Sequence, residues 1–92
     1  MKEEAKKAVK RYIRGELMRT RWELGVSREE MGFRMGMTAW GYKDLERGIS
    51  CCSLISMLLF VNYCCKDPEV FLKGLKDAAH SDDWDEVFKG RA

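Results

Sequence analysis

Apolar residues in the first 24 positions recur three and four apart (Ala5, Ala8, Val9, Tyr12, Ile13, Leu17, Leu24), with Lys and Arg between them. That spacing predicts an amphipathic helix over residues 2–24, as one element or as two meeting at Gly15, since glycine weakens a helix interior by about 1 kcal/mol. Gly25 closes it. Ser27-Arg28-Glu29-Glu30 then forms a capping box that starts a second helix at Arg28, because Ser27 and Glu30 can each bond the other's backbone N–H. The apolar side of this helix is Met31 and Met35 with small Gly32, and Gly36 ends it. Thr38 caps a third short helix over residues 39–47, with Tyr42 and Leu45 turned inward and Gly48 after it.

Ser53 starts a fourth helix, running to about residue 65, that is apolar on nearly every side: Leu54, Ile55, Met57, Leu58, Leu59, Phe60, Val61 and Tyr63. Such a helix needs cover on more than one face, from its neighbours or from a second copy of the chain. Asp67-Pro68-Glu69 starts a fifth helix, with Pro at the first helical position and Val70, Phe71, Leu75 and Ala78 along it. Ser81, followed by Asp82, Asp83, Asp85 and Glu86, starts a last short helix with Trp84, Val87 and Phe88 on one side. The expected fold class is therefore all-α, with five or six helices. Met31, Met35, Met37, Tyr42 and Leu45 are expected in the core, and Trp22 and Trp84 are expected to be packing residues.

At 92 residues the chain makes one domain. Its net charge of +2 is uninformative until it is divided. Residues 1–50 hold 12 basic and 8 acidic side chains, and residues 51–92 hold 5 and 7, so the N-terminal half is the one suited to face phosphates. Residues 1–14 are charged throughout, where a cleavable signal needs an apolar stretch. The most apolar run, residues 54–65, contains Ser56 and Asn62 and is shorter than the about 20 residues that span a bilayer. A soluble cytoplasmic protein without membrane contact is expected.

Candidate chemistry is sparse. Cys51-Cys52 and Cys64-Cys65 suggest a zinc site or disulfides, but an intervening helix separates the pairs by about 18 Å, at about 1.5 Å per residue. That exceeds the reach of one metal site or one disulfide within a chain. The cysteines read as small apolar packing residues. His80 is the single histidine and stands beside no nucleophile pattern, and Asp82-Asp83 reads as helix-start charge. No glycine-rich phosphate loop and no metal-ligand spacing are present, so neither an enzyme nor a cofactor or metal is expected.

Two short helices joined by Gly36-Met37-Thr38 decide the reading, since such a turn lets the second lie in a major groove while the first braces it. Over residues 17–64 the chain resembles the Cro/C1-type repressor family, also known as the XRE-type helix-turn-helix. The resemblance is carried by Arg21, Gly25-Val26-Ser27, Glu29-Glu30-Met31, Gly36-Met37-Thr38 and Leu45-Glu46-Arg47-Gly48, in the order and spacing of that family. It implies a lambda-repressor-like DNA-binding domain that acts as a transcriptional repressor or regulator, as a homodimer on a palindromic operator. By the same resemblance Arg28 and Thr38 touch phosphate backbone. Ala39, Trp40, Lys43 and Asp44 form the outward, base-reading face of the recognition helix, and Arg47 returns to the phosphates. Arg21 and Glu46 match a structural ion pair between the first and third helices. The chain departs from the family at Gly32, usually Ala and expected to loosen the second helix, at Trp40, usually polar, and at Tyr42, usually Ile or Val. Trp40 also suits a protein partner, and the alternative reading is the same fold used as a protein-binding module: an antitoxin, an inhibitor or an accessory protein of a mobile element. The division expected is a basic helical extension over 1–14, the helix-turn-helix domain over 15–65, and C-terminal helices over 66–92 that dimerise or pack as part of the same domain.

Overall fold

The computed structural model describes residues 2–80. Within them lie five helices and no strand: α1 (Lys2–Leu24), α2 (Arg28–Arg34), α3 (Ala39–Glu46), α4 (Leu54–Tyr63) and α5 (Pro68–Ala79). The sixth helix expected after Ser81, with Trp84, Val87 and Phe88, lies outside the described residues. Among those described, no helix is long and apolar enough to cross a membrane.

Each break between helices has a local cause. Ser27, Thr38, Ser53 and Asp67 cap α2 to α5, each accepting a backbone N–H three residues on at 3.0 to 3.2 Å and so satisfying one of the donors a helix start leaves open. Gly25 and Gly48 end α1 and α3 with positive φ, and Gly36 makes the turn between α2 and α3 at φ 70°, a conformation open to glycine without a Cβ clash. The Ser27 half of the capping box is formed, while the Glu30 carboxylate accepts from Arg34 Nε at 3.1 Å. Gly15 introduces no break, and α1 runs through it. α3 ends one residue and α4 two residues before the expected positions, with Arg47 and Cys64 as their C-caps.

Leu17 of α1, Met31 of α2 and Met35 at its C-cap, Tyr42 and Leu45 of α3, Phe60 of α4 and Cys64 at its C-cap, and Phe71 of α5 form one buried cluster. α5 packs along α1. Tyr12 stacks on Phe71 with centroids 5.7 Å apart and donates its hydroxyl to the Phe71 carbonyl at 2.9 Å, while Phe60 meets Phe71 edge-on at 5.2 Å. Gly74 lies against the Tyr12 ring, where any Cβ would collide. Met37 is half-buried and packs against the buried cluster, whereas the packing expected of Trp22 is not found: it is 68% exposed. α4 is covered on one side alone: Phe60 and Ser56 are buried, whereas Leu54, Ile55, Leu58 and Tyr63 are exposed.

Candidate nucleic-acid interface

α2 and α3 form a tight unit because Gly32 allows it. A Cβ on Gly32 would stand 2.9 Å from the Thr38 carbonyl oxygen and 3.2 Å from that of Met37, so the backbone of the turn lies directly against α2. The Met37 N–H donates to the Gly32 carbonyl at 2.8 Å and fixes the approach. The expectation that Gly32 loosens α2 is therefore corrected. It is buried, and its missing side chain is what brings α2 and α3 together.

The orientation of α3 on α1 is held by a polar cluster around Glu46, which is buried at 4% exposure. Arg21 donates from Nε to Glu46 Oε2 at 2.6 Å and from a terminal nitrogen to Oε1 at 3.3 Å. The Tyr42 hydroxyl donates to Oε2 at 2.5 Å, and Arg28 donates from Nε to Oε1 at 3.0 Å. Burial alone would raise the Glu46 carboxyl, but the hydrogen bonds from Arg21, Tyr42 and Arg28 outweigh it and hold the group below the usual carboxylate range. Burial and the adjacent carboxylate push the Tyr42 hydroxyl up, so it stays a donor. Each partner thus stabilises the ionisation state the others need. Tyr42 contributes a hydroxyl the cluster uses, which its expected inward, apolar packing alone did not reveal.

With Tyr42, Leu45 and Glu46 facing inward, α3 leaves Ala39 and Trp40 exposed and Lys43 and Asp44 half-buried. Lys43 Nζ stands 5.1 Å from the centroid of the Trp40 ring, within cation–π distance. Thr38 is exposed, but its hydroxyl is engaged as the cap of α3 by the Gly41 N–H at 3.0 Å. Arg47 is exposed at the far end of α3. Arg28 is exposed as well, yet its Nε is taken by Glu46, so it belongs to the structural cluster as well as to the surface. Sequence reasoning missed this link, and it missed Phe33, 78% exposed at the end of α2. Phe33 and Met37 line an open cleft between α2 and the start of α3, with Glu29 and Glu30 at its edge.

The cysteines lie apart from this surface, on the approach to α4 and at its end. All four are free, and burial pushes Cys52 up to about 11 and raises Cys64 and Cys65. These three thiols stay protonated at neutral pH, the unreactive form. No group of three or more metal-ligating side chains occurs among the described residues. Comparison of the chain with models of protein families, with curated proteins and with solved structures finds no match.

Proposed function

We propose that this chain binds duplex DNA through α3 and acts as a sequence-specific transcriptional regulator, a repressor of the Cro/C1 kind. The observation that carries the reading is the α2–turn–α3 unit: two short helices locked by Gly32 and Gly36, with α3 braced on α1 through Glu46 and its opposite side left open. A recognition helix must be held rigidly by its inner face and offer donors on its outer one. In this reading Lys43 donates to base edges and Trp40 packs beside it on a thymine methyl or a sugar. Arg28 and Arg47 flank the helix and take phosphates, and Arg28 does so while its Nε remains on Glu46. The apolar side of α4 pairs two copies on a palindromic site.

A second reading is favoured by one observation. Trp40 is 69% exposed and Phe33 is exposed nearby on α2, and large exposed aromatics anchor protein interfaces. In that case the same face grips a protein partner. Selection of bound fragments from random duplex DNA separates the two. The DNA reading predicts enrichment of one palindrome, and a pool that stays random after repeated rounds at low salt transfers the face to a protein partner.

A further inference from the structure

Between residues 6 and 14, α1 carries Lys6, Lys7, Lys10, Arg11 and Arg14 with no acidic residue among them. Lys6 leans on Glu3 at 3.7 Å. The other four are exposed, and among the described residues none of them has a carboxylate partner. Elsewhere the chain pairs its arginines: Arg19, Arg21, Arg28 and Arg34 each meet a glutamate. Lys7, Lys10, Arg11 and Arg14 stand at i, i+3, i+4 and i+7, one face of the helix. Like charges so placed repel one another, and an anion laid along them removes that cost.

The stripe lies on the face of α1 that carries α3. Arg21 stands two turns beyond Arg14 on that same face, and it ties α1 to α3 through Glu46. Arg14 itself packs at the end of α3, where a Cβ on Gly48 would lie 3.6 Å from one of its terminal nitrogens. Lys10 and Arg14 border the segment that follows α3, beside Gly48, Ser50 and Cys51, and residues 48–53 bring no charge of their own. Arg47, the residue before Gly48, is exposed and likewise has no carboxylate partner among the described residues. The open cations thus form one track, from Arg47 across Arg14 to Lys7, about 10 Å further along α1.

We propose that this track is a second phosphate-binding element, which follows the DNA backbone out of the site that α3 reads. The inference rests on the reading of α3 as a DNA-binding helix. Packed helices stand about 8 to 10 Å apart, and the major groove is about 8.5 Å deep. The ridge of phosphates beside a groove that holds α3 therefore comes down to the level of α1, within reach of long Lys and Arg side chains. Phosphates of one strand recur about every 3.4 Å along the duplex axis, so the stripe on α1 spans about three base pairs beyond the contacts of α3. Contacts of this kind add affinity and salt dependence without reading sequence.

Lys7→Gln with Arg11→Gln removes two charges from exposed positions of the track, and Lys73→Gln with Lys76→Gln removes two from exposed positions of α5. The parent and both variants are titrated at several salt concentrations against the selected duplex in two lengths, one trimmed to the bases that α3 covers and one with added flanks of arbitrary sequence. On the flanked duplex the α1 variant should bind severalfold more weakly and lose about two units of salt slope, one for each phosphate contact, while the α5 variant matches the parent. On the trimmed duplex all three should bind alike. The preference for the selected site over a scrambled one, and the far-ultraviolet helical signal, should be unchanged in both variants. An α1 variant that keeps the parent's slope on the flanked duplex overturns the proposal, and the parent's preference for its site then leaves the reading of α3 standing. Equal losses in the α1 and α5 variants overturn it as well, because they report the net charge of the molecule and not a contact. So does a loss as large on the trimmed duplex as on the flanked one. A parent that binds no duplex overturns both readings.

Discussion

Glu46 is the one acidic side chain buried among the described residues, and three donors on three helices converge on it. An exposed pair such as Arg34 with Glu30 contributes at most about 1 kcal/mol, because water screens it and two long side chains must be immobilised. Removing one partner of a buried pair costs about 3 kcal/mol where the remaining charge is left uncompensated, and for Glu46 the half-exposed Arg28 and the Tyr42 hydroxyl offset only part of the loss of Arg21. Arg21→Ala should therefore lower stability by clearly more than Arg34→Ala, read from urea denaturation midpoints, and equal midpoints for the two variants would show that the cluster contributes nothing special. Acid adds a second check. Glu46 titrates lower in the folded chain than the about 4.3 of an unfolded glutamate, so its contribution is complete above that value and is lost as pH falls through its own depressed one. The stability gap between the parent and Glu46→Gln should narrow on acidification, and a gap that persists unchanged into strong acid contradicts the assignment.

The helices themselves were largely legible in the sequence because their causes are local. Ser27, Thr38, Ser53 and Asp67 act within three residues, and Gly25, Gly36 and Gly48 act on their own backbone. What was not legible is long-range. Which side of α4 meets the core, that Trp22 is left 68% exposed, and that Arg28 reaches Glu46 all depend on elements distant in the chain. Gly15 and Gly32 show the difference, since both sit in helix interiors and look equivalent as letters. A Cβ on Gly15 meets nothing within 4 Å, whereas one on Gly32 meets the turn backbone at 2.9 Å. Gly15→Ala should raise stability by about 0.5 to 1 kcal/mol, the backbone freedom glycine gives up on folding. Gly32→Ala gains the same propensity but must push α2 off the turn, and overpacking of that kind costs about 1 to 3 kcal/mol. Thermal or urea denaturation should thus give shifts of opposite sign, and a stabilising Gly32→Ala would mean that the close α2–turn contact is not formed.

At the scale of the whole molecule, two surfaces carry the account. On α4, Leu54, Ile55 and Leu58 lie exposed on a helix that has no charged residue, where a solvent-facing side is ordinarily polar. If two copies pair there, sedimentation equilibrium at micromolar concentration gives twice the chain mass and Leu58→Glu returns it to one, while a parent that stays monomeric throughout removes the dimer. The other surface is α3, and on it the central claim stands. The most direct measurement is a titration of labelled duplexes, the selected site and a scrambled one, with the parent, Lys43→Ala and Arg47→Ala at several salt concentrations. A phosphate contact releases about one counterion, so Arg47→Ala should weaken both duplexes alike and lower the salt slope by about one unit. A base contact discriminates, so Lys43→Ala should lose about 1 to 3 kcal/mol on the selected site and much less on the scrambled one. Binding of both duplexes that is identical for the parent and both variants, or no binding of duplex by the parent at low salt, would contradict a DNA-reading α3.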